Sequence, residues 1–156
     1  MSLAIRTSDT ERLNLDRGRR KLQDKVVLIT GGAKGMGGTI AELFAHEGAR
    51  LALAARSVPD LDAEAARIRA DLPGLDAMSI GVDVTSADSC QAMVKAVLDR
   101  HGRIDVLVNT AGVIGPIETP AQNVSEAEWD HVLGVNAKGT FLSIKAALPS
   151  MIEARQ

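Results

Sequence analysis

Half of the ten residues in "ITGGAKGMGG", positions 29 to 38, are glycine, and the stretch follows the apolar run "VVLI". Glycine loses more backbone freedom on folding than any other residue. A chain keeps five of them together where the backbone must turn tightly or let another group come close. The β-branched run before the stretch reads as a buried strand. After it, Met36, Ile40, Leu43 and Phe44 share one helical face, and Gly48 is placed to end that helix.

The alternation continues. "RLALAA", "AMSIGV" and "IDVLVN" are further short apolar runs. Between them, Leu61, Ala65, Ile68 and Leu72 share a face over 60–72, and Cys90, Met93, Val94, Val97 and Leu98 share one over 87–99. Thr85 with Asp88, and Ser125 with Glu128, have capping-box spacing. Residues from about 125 to 154 read as one long helix or two abutting ones. The order β-α-β-α-β-α-β-α predicts an α/β fold with parallel strands, right-handed crossovers and helices on both faces of the sheet. Near-continuous apolar strands agree, because such a sheet is covered on both sides. The domain is expected over 25–156. Residues 1–24 are polar, and their basic patch "RGRRK" is interleaved with Asp9, Glu11, Asp16 and Asp24, so they read as a flexible extension.

With 46% apolar and 24% charged residues over 156 positions, the composition is that of one globular domain. A net charge of −2 gives no pull toward nucleic acid or an anionic membrane. No apolar run reaches the roughly 18 residues of a membrane span, and the N-terminus has no signal-peptide core. Cys90 is the single cysteine, so no disulfide forms within the chain and a reducing cytoplasm is the expected setting. It lies on an apolar stripe and reads as core rather than nucleophile. His46, His101 and His131 are far apart and have no cysteine partner at zinc spacing, so no metal site is expected.

In an open α/β sheet, ligands bind outside the carboxyl ends of the strands. A glycine turn there lets main-chain N–H groups and the positive end of the helix dipole face a pyrophosphate. The alternative is a glycine-rich turn with no ligand. The spacing Thr30-Gly31-x-x-x-Gly35-x-Gly37 differs from the commoner G-x-G-x-x-G fingerprint. It resembles the cofactor motif T-G-x-x-x-G-x-G of the short-chain dehydrogenase/reductase family. Asp83-Val84 after the third strand, "NTAG" at 109–112 after the fourth, and "VNAKGTF" at 135–141 extend the resemblance in order over about 25 to 156. It implies a Rossmann-like doubly wound sheet and an NAD(P)-dependent oxidoreductase. The cofactor contacts it implies come from Thr30, Gly31, Lys34, Gly35, Met36, Gly37, Arg56, Asp83, Val84, Asn109, Ala111 and Gly112, with Asp83-Val84 at the adenine ring. Thr110 stands where the family usually has a second Asn, and a hydroxyl replaces only part of an amide's hydrogen bonding.

An enzyme that prefers NAD usually carries an acid at the end of the second strand, where it accepts from the ribose hydroxyls. Here Ala55 occupies that position, Arg56 follows, and Lys34 lies in the glycine loop. Two cations suit a 2′-phosphate, and Arg grips it with two parallel hydrogen bonds. NADP(H) is therefore the expected cofactor, with NAD(H) as the alternative.

Hydride transfer to a carbonyl needs a proton for the developing alkoxide. The resemblance implies that a Tyr supplies it within Y-x-x-x-K, that a Ser orients the substrate oxygen, and that an Asn holds a water near the Lys. Asn136 is the counterpart of that catalytic Asn, and the chain contains no tyrosine. The Ser-bearing strand and the Tyr–Lys helix are expected past residue 156. The chain then reads as the family's N-terminal portion, truncated after the fourth strand and the following long helix. Ser143 and Lys145 are two apart on a helix and do not face each other. Lys138 and Lys145 read as surface, Trp129 with Val132 and Leu133 as core, and His131 as structural or exposed. The strand "IDVLVN" is expected as a bare apolar edge, and the last helix as part of the interface of a homo-oligomer, a dimer or tetramer, in the complete protein.

These features predict an oxidoreductase that passes a hydride between NADP(H) and a small alcohol or carbonyl compound, with no nucleic-acid or membrane partner. The 156-residue chain alone is expected to be inactive. A non-catalytic nucleotide-binding or subunit-pairing module, or a fragment without autonomous function, is the alternative.

Overall fold

The computed structural model describes residues 20–155, so the extension expected over 1–24 lies mostly outside the described residues. Four parallel strands, β1 (Val26–Thr30), β2 (Arg50–Ala55), β3 (Ala77–Gly81) and β4 (Val106–Asn109), stand in the order β3-β2-β1-β4. Helices α1 (Gly35–His46), α2 (Val58–Asp71) and α3 (Ala87–His101) return the chain between them. A continuous helical segment follows β4, made of α4 (Glu126–Leu133), a π-helical turn (Gly134–Lys138) and α5 (Gly139–Glu153). This is the parallel sheet expected from the alternation, and the Rossmann-like one that the resemblance implies.

Successive strand residues point to opposite faces, and β1 uses both. Val26 and Leu28 pack with Cys90, Met93, Val94 and Val97 of α3 and with Leu142 and Ala147 of α5. Val27 and Ile29 pack with Ala41 and Ala45 of α1 and with Leu61, Ala65 and Ile68 of α2. Each fully buried aliphatic side chain contributes about 1.5–3 kcal/mol, which places the rigid centre of the molecule at β1. The register sets Thr30 beside both Ala54 and Asn109, so the carboxyl ends of the central strands finish level at the glycine turn. β4 pairs with β1 alone, and its four residues are half-buried, which makes it the apolar edge expected of it.

Three details depart from the sequence expectations. First, α1 buries its smallest residues rather than its largest: Gly37, Gly38, Ala41 and Ala45 are buried, with Gly38 against Glu64 of α2, while Ile40, Leu43 and Phe44 are half-buried and Met36 is 75% exposed. Small residues let the helix lie close to β1 and β2. Second, Ser86 rather than Thr85 caps α3, accepting from the Ser89 N–H at 3.3 Å. Thr85 instead donates its hydroxyl to Asp83 at 2.7 Å, so it is already committed. Third, Trp129 is 61% and Leu133 44% exposed, not core, since α4 buries none of its residues.

Residues 20–24 are attached rather than loose. The Leu22 N–H donates to the Glu47 carbonyl at 3.1 Å and the Asp24 N–H to the Gly48 carbonyl at 3.0 Å. The Leu22 side chain packs on the α1–α2 side of the core.

Candidate cofactor site

The carboxyl ends of the strands open into a cleft of about 780 Å³. β1 and β2 each leave the sheet here through residues that line it, Gly31, Ala33 and Lys34 after β1 and Ala55, Arg56 and Ser57 around the end of β2. Val82 to Thr85 line it after β3, and Thr110 to Val113 after β4.

The glycines divide into two kinds. Gly31, at φ +75°, packs so tightly that a Cβ would stand 2.7 Å from the Ala111 nitrogen. A Cβ at Gly37 would overlap the Gly31 carbonyl oxygen and come within 2.6 Å of the Thr110 hydroxyl. These two glycines let the turn, the start of α1 and the loop after β4 touch. Gly35 differs: at φ +59° it faces open space, with nothing within 4 Å of its Cβ position.

The start of α1 is also unlike those of the other helices that begin outside a helical turn. Ser57, Ser86 and Ser125 cap α2, α3 and α4, each of which carries an acid in its first turn. Lys34, at the head of α1, makes no side-chain cap, and the first turn holds no acid. Orphan N–H groups and the positive end of the dipole are thus left for an anion. That chemistry fits a dinucleotide's pyrophosphate.

Of the residues expected to meet a cofactor, Gly31, Lys34, Arg56, Asp83, Val84, Ala111 and Gly112 come together in the cleft. Gly35, Met36 and Gly37 form the head of α1 beside it. Thr30 is 1% exposed and ties β1 to β4: its hydroxyl donates to Asn109 Oδ1 at 3.3 Å, and its carbonyl accepts the Thr110 hydroxyl at 2.6 Å and N–H at 3.0 Å. Thr110 therefore fixes this loop through a carbonyl that an amide at the same position would reach differently. Lys34 and Arg56 are both exposed to the cleft. The Asp83 carboxyl is held below its usual pKa by the Thr85 hydroxyl, then by the Thr85 N–H, with the Arg56 charge adding to the effect against a small opposing burial.

Asn136 sits in the π-helical turn, where the wider helical step reorients side chains. Its amide grips one residue at two points. Oδ1 accepts the Val113 N–H at 2.9 Å and Nδ2 donates to the Val113 carbonyl at 3.0 Å. Its own carbonyl accepts the Thr140 hydroxyl at 2.9 Å. Asn136 thereby fastens the helix to the loop that carries Ala111 and Gly112. Asp60, His131 and Val135 also line the cleft and were not expected there. For the last two the signal in the sequence is spacing: Val135 precedes Asn136 directly and His131 lies one turn before Val135.

Residues 25–156 match the short chain dehydrogenase family. A D-threitol dehydrogenase of Mycolicibacterium smegmatis is 42% identical over 137 residues, which cover 86% of this chain and 50% of that protein. Among solved structures, a metagenomic short-chain oxidoreductase in complex with NADP is 39% identical with a TM-score of 0.79, over 86% of this chain and 60% of that one. A 3-ketoacyl-(acyl-carrier-protein) reductase of Brucella melitensis complexed with NADH is 30% identical with a TM-score of 0.76, over 85% of this chain and 52% of that one. The chain spans about half the length of the curated relatives it matches. With an open helix start, a glycine turn and a loop after β4 packed as one unit, and with residues 25–156 matched, the chain belongs to the short-chain dehydrogenase/reductase family.

Proposed function

We propose that these residues form the nucleotide-binding half of an NADP(H)-dependent oxidoreductase acting on a small alcohol or carbonyl compound. The observation that carries the cofactor reading is the pair of exposed cations, Lys34 and Arg56, lining the cleft where Ala55 leaves no acid at the end of β2. When bound, the nicotinamide supplies or accepts the hydride. The chain's own part is to seat the pyrophosphate at the head of α1, to hold a 2′-phosphate with Arg56 and Lys34, and to fix the loop of Ala111 and Gly112 through Asn136. The proton for the alkoxide is assigned to the family's Tyr-x-x-x-Lys, and these 156 residues contain no tyrosine. The whole reaction is therefore proposed for a protein that carries that pair.

The competing cofactor has one residue in its favour. Asp60 lines the same cleft, and a carboxylate there accepts from ribose hydroxyls and repels a phosphate. Titrating the parent chain and Arg56→Ala with NADPH and NADH by fluorescence separates the readings. The substitution is expected to weaken NADPH by about 10- to 100-fold, as for a lost charge-assisted pair, and to leave NADH nearly unchanged. An equal loss for both cofactors would assign the phosphate elsewhere. With a carbonyl substrate added, no oxidation of NADPH by these residues alone is expected.

The protein is further proposed to work in the cytoplasm as a homo-oligomer. Phe141, Ile144, Leu148 and Ile152 leave one side of α5 exposed and apolar, more than a lone surface helix carries. Light scattering is expected to give at least twice the chain mass, and a monomer with Phe141→Glu and Ile152→Glu together. Monomeric mass for the parent chain would remove the proposal.

A further inference from the structure

The cleft wall is charged where Lys34 and Arg56 line it and aliphatic where Val82, Val84 and Val135 do. A nucleotide's phosphates take the cations and the main-chain N–H groups, which leaves its flat base to the aliphatic wall. Proteins hold unpaired bases most firmly by laying an aromatic ring on the base face. This chain has few rings to offer: one Trp, two Phe and no Tyr. None of those three lines the cleft, and the ring that does line it is the imidazole of His131.

The helix after β4 aims that ring. Gly139 seats the helical segment on the loop after β3, so closely that a Cβ there would stand 2.7 Å from Val84 Cγ2. One turn earlier, Val135 packs on the core cluster that contains Val82 and Val84. His131 comes one turn before that and is exposed at the cleft. Residues 131, 135 and 139 thus form one stripe, anchored at its far end on the loop that makes the aliphatic wall. His131 therefore lines the same cleft as Val84 and Val135.

We propose that His131 is the base-stacking residue of this cleft, its imidazole closing over the nucleobase of the bound dinucleotide against Val84 and Val135. The inference rests on the nucleotide reading above and adds to it a residue that reads the base rather than the phosphates. A stacked ring needs only a flat face, so another aromatic side chain replaces it and a hydrogen-bonding amide does not.

The test is calorimetric titration of the whole chain and of His131→Ala, His131→Phe and His131→Gln with ADP and with 2′,5′-ADP. Circular dichroism checks each fold, and the exposed position makes all three substitutions tolerable. His131→Ala is expected to weaken both ligands alike by about five- to 150-fold, the usual loss for one stacked base. His131→Phe is expected to return to within about twofold of the parent, and His131→Gln to stay with the alanine variant. Unchanged binding by His131→Ala overturns the inference while leaving nucleotide binding intact. Rescue by Gln and not by Phe overturns it in favour of a hydrogen bond. A loss confined to 2′,5′-ADP places the ring on the 2′-phosphate instead and also overturns it. A parent chain that binds neither ligand sinks the nucleotide reading itself, and the inference with it.

Discussion

Gly37→Ala is expected to destabilise the fold by about 3–5 kcal/mol and to abolish measurable nucleotide binding. The local helix argues the other way, since glycine to alanine inside a helix ordinarily stabilises by about 1 kcal/mol. Contact decides the sign. The new Cβ would overlap the Gly31 carbonyl oxygen and stand 2.6 Å from Thr110 Oγ1 and 2.8 Å from the Gly31 carbonyl carbon. Neither neighbour can retreat. Gly31 is pinned by its N–H to the Ala54 carbonyl at 2.7 Å, and Thr110 is held twice by the Thr30 carbonyl. The clash is relieved only if the head of α1 lifts off the turn, which carries the anion-binding N–H groups away from the cleft. Urea denaturation and a calorimetric NADPH titration read the two effects. Gly134→Ala is the control: it has φ −55° and nothing within 4 Å of its Cβ position, so it should be neutral or slightly stabilising. A Gly37→Ala protein as stable as its parent would mean that the packing of turn, helix and loop is not what that glycine serves.

The same glycine shows what a one-dimensional reading can hold. That a strand, a turn and a helix meet at 26–46 is legible, because hydrophobic period and glycine spacing are local properties. The capping box at Ser125 and Glu128 is equally local, and both of its hydrogen bonds form. Which face of α1 is buried was not legible. Gly37, Gly38, Ala41 and Ala45 carry little hydropathy, so the larger Met36, Ile40, Leu43 and Phe44 dominate the pattern, while close approach to the sheet selects the small ones. Trp129 marks a second limit. An apolar stripe says that a face prefers cover and says nothing of what covers it. Asn136 lies between these cases. Its motif is visible in sequence, but the two-point grip on Val113 depends on a π-helical turn that no residue period announces. His131 and Val135 belong to the cleft through that same helix, and only the packing of Gly139 on Val84 aims them there.

The other large effect lies at the opposite end of the sheet. Asp105 precedes β4, and its side chain is 4% exposed. Its carboxylate accepts the Val26 N–H at 2.8 Å and the Lys25 ammonium at 3.2 Å, and it pairs with Arg103. The first residue of the central strand is thereby tied to the start of its edge neighbour. Burial by itself would raise the Asp105 pKa, but the Val26 N–H, Arg103 and Lys25 together take it below the usual carboxylate value. A pKa lower in the folded chain than in the unfolded one stabilises the fold at every pH above the unfolded value. That contribution is lost as pH falls through the folded value. Asp105→Ala is therefore expected to cost about 2–4 kcal/mol at neutral pH, because it leaves a buried N–H without an acceptor and two cations without their partner. Asp105→Asn should cost less, since its amide oxygen can still accept from Val26. The gap between Asp105→Asn and the parent should begin to close once pH drops below about 3.9, where the unfolded chain takes up the proton, and close fully only below the lowered value of the native carboxyl. Nucleotide affinity, measured where every variant is folded, should not move, because Asp105 stands at the amino ends of β1 and β4 and the cleft at their carboxyl ends. A gap that persists unchanged at pH 3 would show that the carboxylate's charge contributes nothing, and a changed affinity would show that the two ends of the sheet are coupled.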